Sequence, residues 1–172
     1  MKFANALLIT LLAAGCSRAE APKPIDQTFT SEMASQALSS ALPNYKMLKV
    51  FAVCGPAAGK GLSSRDKFSE FEDDGISDGR LIFYSASDGS GPNVAYRDIS
   101  GKYQFALNEG AEVRPIGDQS QMWIISYATT GVVETHNFVM RDGELLDVWT
   151  SAKPELIVPA SSRIFTSNCF RP

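Results

Sequence analysis

The chain has a single histidine, His136, among its 172 residues. No Cys, Asp or Glu cluster at ligand spacing stands near it. A zinc centre needs several such ligands, so a metal-dependent hydrolase of that kind is excluded. There is no surplus of base: 16 Lys and Arg face 19 Asp and Glu, net −3, with no basic stripe. That argues against a nucleic-acid partner. No apolar run reaches the ~20 residues that a helix needs to cross a bilayer. No internal repeat is visible, and helical periodicity occurs only once. What remains is 44% apolar and 20% charged, enough to build an ordinary core.

Strand signals fill most of that remainder. Residues 120–150 read as three antiparallel strands joined by tight turns. In 121–128, Met122 and Ile124 alternate with Trp123, Ile125 and Tyr127. Both rows are largely apolar, which predicts a central strand covered on both faces. Gly131 can turn with positive φ, and Asp142-Gly143 is a hairpin signal. The strands on either side are 132–140 and 144–150. Further strands are expected over 47–54, 80–86, 93–99, 102–107, 111–116 and 163–170. Turn signals at this spacing predict a mainly β fold. The expected form is an antiparallel meander of about nine strands, a sandwich or closed barrel, with one N-terminal helix. That helix is 30–42: Thr30 or Ser31 caps it, Glu32 sits in its first turn and Pro43 ends it. The stretch 55–78 reads as a polar, glycine-punctuated surface excursion.

The N-terminus reads as an address rather than as structure. Lys2 is followed by a short apolar run, 4–14, of signal-peptide length. Ala13-Ala14-Gly15-Cys16 resembles the bacterial lipobox, in which the cysteine becomes the acylated first residue of the mature chain. The resemblance implies a signal peptide over 1–15, lipidation at Cys16, and a membrane partner held through acyl chains. Ser17 after the cysteine implies the outer membrane, facing the periplasm. Cleavage after Ala19-Glu20-Ala21 is the alternative, and it also exports the chain. Residues 16–28, with two prolines and no period, read as a flexible tether to one domain over 29–172. With Cys16 taken by lipid, Cys54 and Cys169 remain as a pair in an oxidising compartment, and a disulfide between them is expected. It would join the first and last strands and so the two ends of the sheet. Separate buried thiols are the alternative.

Several patterns suggest chemistry but lack its context. Gly55 to Gly61 (GPAAGKG) has the wrong spacing for a phosphate loop and reads as a glycine-rich turn. Gly75-Ile76-Ser77-Asp78-Gly79 fits the G-x-S-x-G elbow, with Ser77 as nucleophile and His136 as base. It lacks the preceding buried strand and following helix. Glu72, Asp73, Asp74 and Asp78 read as a solvated acidic loop rather than a calcium site. No cofactor or metal is implied. Trp123, Tyr127, His136 and Trp149 are candidate ligand contacts, in a fold whose other aromatics fill the core.

Cys54-Gly55, Asp74-Gly75-Ile76-Ser77-x-Gly79, Tyr96-Arg97-Asp98 with Gly101, and Ser161-Ser162-x-x-Phe165-x-x-x-Cys169 resemble a group of small exported bacterial proteins of unknown function. The resemblance spans Phe51 to Cys169 and implies export and a β-rich domain, but no activity. The expected function is therefore a lipid-anchored envelope protein that binds without catalysing. Its partner would be a protein, as for an inhibitor, or a small apolar ligand; an envelope hydrolase using Ser77 is the alternative.

Overall fold

The computed structural model describes residues 29–76, 79–86, 91–98, 100–117, 121–154 and 159–172. The expected signal peptide, the expected tether and Cys16 lie outside the described residues, as do Ser77 and Asp78. Helix α1 spans Ser31–Ala41. Thr30 caps it, its hydroxyl accepting from the Met33 amide at 3.3 Å. Its last turn closes through the Leu42 amide onto the Leu38 carbonyl, and Pro43 cannot continue it. Ala34, Ala37, Leu38 and Ala41 face the sheet. There they meet Val53, Ile82, Tyr84 and Ala95, with Phe29 completing the layer. Burying Leu38 alone contributes ~2 kcal/mol.

The strands are β1 (Leu48–Ser63), β2 (Glu72–Ile76), β3 (Leu81–Ala86), β4 (Pro92–Arg97) and β5 (Tyr103–Phe105), followed by β6 (Ala111–Ile116), β7 (Met122–Tyr127), β8 (Val132–Arg141), β9 (Glu144–Lys153) and β10 (Ser161–Phe170). Every described pairing is antiparallel, in the order β5-β4-β3-β1-β10-β9-β8-β7-β6, with β2 added beside β1. Nine strands side by side would make a flat sheet roughly 40 Å wide. Yet the outermost strands, β5 and β6, are joined by only 106–110. The Ala106 amide donates to Val94 O, and the Ala111 amide donates to Ala106 O, both at 2.9 Å. The two edges are thereby drawn together, and the sheet curls into a half-barrel whose seam lies between β5 and β6. Of the two expected forms, sandwich and barrel, the chain takes the curled one.

The central hairpins are as the turn residues dictate. Asp142 and Gly143 both have positive φ, 54° and 85°, as a two-residue turn matched to strand twist requires. Gly131, at φ 68°, ends the β7–β8 loop. Cys54 and Cys169 are disulfide-bonded and are register partners on β1 and β10.

Three expectations are corrected. The bridge joins the first and last strands of the chain, but these are neighbours in the middle of the hydrogen-bonded order, not its ends. Strand β7 is second from the β6 edge, not central. Met122 and Ile124 are only half-buried on its outer face, because α1 covers the β1, β3 and β4 side of the sheet instead. Finally, Gly55 to Gly61 is strand, not turn. The second half of β1 pairs with β10 on one side and β2 on the other. Its glycines serve close approach: a Cβ on Gly59 would lie 1.8 Å from the Ile164 carbonyl oxygen, and one on Gly55 would strike the Phe29 ring.

Candidate functional site

Period-two alternation decides what enters the barrel. On β9 the buried row is Leu145, Asp147, Trp149 and Ser151, and on β10 it includes Phe165, Ser167 and Cys169. Trp123 and Ile125 are the buried pair on β7, and His136 is the buried residue of β8. These rows make tiers along the interior. The tier around the disulfide is filled. Trp123, with no exposed surface, packs against Phe51 at 5.3 Å and Phe83 at 5.5 Å between ring centroids, and Phe83 meets Phe138 at 4.9 Å.

The next tier is polar. His136 and Asp147 are both fully buried, and His136 Nδ1 lies 2.7 Å from Asp147 Oδ2. The imidazole stacks on Trp149 at 5.1 Å, and Trp149 stacks on Phe165 at 4.5 Å. His136 Nε2, Asp147 Oδ1 and Trp149 Nε1 are buried without a hydrogen-bond partner among the described residues.

Beyond Trp149 and Phe165 the barrel opens into a cavity of about 440 Å³. Leu81, Val94, Ile125, Trp149 and Phe165 give it apolar walls. Tyr96 and Tyr127 line it together. Burial pushes both hydroxyls above their ordinary range. Glu134 adds to this at Tyr127, and Glu109 at Tyr96. Glu134 accepts from the Ser151 hydroxyl at 3.2 Å. Lys153 and Arg163 reach it from the inward rows of β9 and β10, whereas Arg80 and Arg97 border it with their charged ends on the α1 face, Arg80 over the Phe29 ring and Arg97 Nε donating to the Gly101 carbonyl. Arg163 also pairs with Asp74 of β2 at 3.1 Å. A second, polar groove of about 650 Å³ lies between α1 and the β4–β5 edge, where Arg97 and Lys102 face Gln36 and Ser40.

Three of the sequence candidates are thus brought together as register partners, Trp123 with His136 and His136 with Trp149. Tyr127 and Trp149 line the cavity; His136 and Trp123 are buried behind it. Ser77 is outside the described residues, so its distance from His136 is undefined. Asp73 and Asp74 of the acidic stretch are engaged in cross-strand ion pairs, Asp73 with Lys60 at 3.4 Å. Among the described residues no Cys, His, Asp and Glu group is placed to hold a metal ion. Asp147, Lys153 and Arg163 were not foreseen. All three follow from alternation, once β9 is extended past Thr150 and β10 is counted backwards from Cys169. Compared with known protein families, curated proteins and solved structures, the chain matches none of them.

Apolar walls bind by burial, at ~25 cal/mol per Å² of surface removed from water, while the polar mouth orients the ligand. Through Nδ1 the imidazole meets Asp147, under the Trp149 ring.

Proposed function

We propose that this protein is a lipid-anchored component of the bacterial cell envelope that holds one small, mostly apolar ligand in the open end of its half-barrel. The observation that carries the reading is the cavity. Its volume, about 440 Å³, falls within the ~300–1,000 Å³ of ordinary small-molecule sites. Its floor is a Trp149–Phe165 stack and its polar groups gather at the mouth, the usual division between affinity and orientation. The Cys54–Cys169 bridge fits an oxidising compartment. The leader, the lipobox-like stretch ending at Cys16 and the Ser17 that follows it support an anchor at the outer membrane, facing the periplasm. The cavity favours a ligand over a protein target as the partner.

The test is fluorescence titration of the soluble domain with N-phenyl-1-naphthylamine, a neutral apolar probe. Saturable one-to-one binding is expected, abolished by Val132→Trp, which fills the mouth from β8. A probe that does not bind, or that binds both proteins alike, overturns the reading. Anchoring is tested separately by labelling cells with radioactive palmitate: label should enter the protein and be lost in Cys16→Ser.

A further inference from the structure

We infer that the groove between α1 and the β4–β5 edge binds a phosphate group carried on a larger organic molecule. This is a second site, on the other face of the sheet from the cavity, and it does not depend on what the cavity holds. Alternation sorts the two faces. Tyr96 lines the cavity, and its register partner Gln104 shares that face. Arg97 and its register partner Tyr103 therefore face α1, where they line the groove with Arg80 and Lys102. The carboxylate beside Arg97 in the chain is turned away: Asp98 Oδ2 accepts from Gln104 Nε2 at 3.1 Å. Glu32, one turn before Gln36 on α1, does not line the groove. The lining thus holds three cationic residues and no acidic one among the described residues, in a chain of net −3.

Both guanidinium groups are held in place. Arg80 lies over the Phe29 ring, 5.1 Å from its centroid, and its Nη1 donates to the Gly79 carbonyl at 2.6 Å. Arg97 Nε donates to the Gly101 carbonyl at 3.1 Å, which leaves its Nη donors for a ligand. A Cβ on Gly101 would lie 3.2 Å from Arg97 Nη2, so this glycine gives the guanidinium its room as well as turning with φ +81°. The Tyr103 hydroxyl marks where the charges converge. Burial pushes it up, and the charges of Arg97 and Arg80 oppose that shift. Neither Arg97 nor Lys102 forms an ion pair among the described residues. From the opposite wall α1 presents Gln36 and Ser40, an amide and a hydroxyl able to donate. Donors thus come from α1, from the β4–β5 edge and from the residue before β3. A carboxylate is satisfied by one planar fork, whereas a phosphate accepts from several directions at once. A groove of about 650 Å³ also exceeds a bare phosphate and leaves space for the body that carries it.

The experiment is calorimetric titration of the chain, purified without its acyl anchor, with glycerol 3-phosphate and with acetate. Glycerol 3-phosphate should bind saturably at one site, more weakly as salt rises, and about tenfold or more tighter than acetate. Arg97→Gln and Lys102→Gln should each weaken it about fivefold or more. Gln36→Glu, which sets a carboxylate on the facing wall, should abolish it. Unchanged urea midpoints for Lys102→Gln and Gln36→Glu show that both are folded. Flotation with phosphatidylcholine vesicles, with and without phosphatidic acid, separates the two sources of the phosphate. Capture that needs phosphatidic acid and is lost in Gln36→Glu assigns a lipid headgroup. Binding of glycerol 3-phosphate without capture assigns a soluble phosphate ester. Neither binding nor capture, acetate bound as tightly as the phosphate, or binding that Lys102→Gln and Gln36→Glu leave unchanged overturns the inference.

Discussion

Replacing His136 by Phe leaves the Asp147 carboxylate in the barrel interior without its hydrogen-bond partner. Both side chains have no exposed surface, and Asp147 Oδ1 already lacks a partner among the described residues. Phe is close to His in bulk, so little void is created and the cost is electrostatic. Stranding one member of a buried pair costs ~3–5 kcal/mol. The converse change, Asp147→Leu, strands an imidazole Nδ1 and costs ~1–3 kcal/mol. Combining the two replaces the pair by apolar neighbours of Trp149 and Phe83, which is often neutral or better. The double variant should therefore be far more stable than the sum of the single losses, with coupling of about 3 kcal/mol or more. The assay is urea unfolding with the disulfide intact. With a slope of about 2 kcal/mol per molar, His136→Phe should lower the midpoint by roughly 1.5–2.5 M, and the double variant should restore most of it. Additive losses, with coupling under about 0.5 kcal/mol, would refute the account of a mutually dependent buried pair.

Four other outcomes are expected. Replacing Cys54 and Cys169 together by Ser should cost ~2–4 kcal/mol in urea unfolding, since the bridge closes a long loop in the unfolded chain, with a sequence separation of 115. Gly59→Ala should cost ~1–3 kcal/mol or more, because its Cβ would run into the Ile164 backbone. Gly110→Ala, whose Cβ meets nothing but whose φ is +78°, should cost only ~1–2 kcal/mol in the same melts. Asp98 is held down to about 2 by bonds from the Ser100 hydroxyl, Gln104 and the Lys102 amide. Its folded value lies below its unfolded one. Its stabilisation is therefore present above about pH 4 and disappears as pH falls through about 2. Thermal melts should show Asp98→Asn less stable than the parent at about pH 6, with the gap closing near pH 2.

Those features that depend on neighbouring residues were legible in the sequence. The Thr30 cap with Pro43 bounded α1, Asp142-Gly143 turned β8 into β9, and alternation on β7 put Trp123 and Ile125 on one buried row. The cysteine pair could be matched because only two were left once Cys16 was set aside as the expected lipidation site. What depends on distant chain was not legible. Glycines in 55–61 signal a turn locally, but β10 and β2 both supply hydrogen bonds there, and pairing overrides propensity. The apolar outer face of β7 suggested a cover that α1 gives to other strands. The cavity was invisible for a similar reason. Val94, Tyr127, Glu134, Lys153 and Arg163 lie on five different strands, and only curling of the sheet brings them around one space.

The two tryptophans provide the most direct measurement. Trp149 lines the cavity and Trp123 is sealed in the filled tier beside Phe51 and Phe83. In an ¹⁵N-labelled sample, titration with N-phenyl-1-naphthylamine should shift the Trp149 indole N–H resonance saturably and leave that of Trp123 in place. A titration that moves neither resonance, or moves Trp123 as much as Trp149, would contradict a ligand held at the open end of the half-barrel.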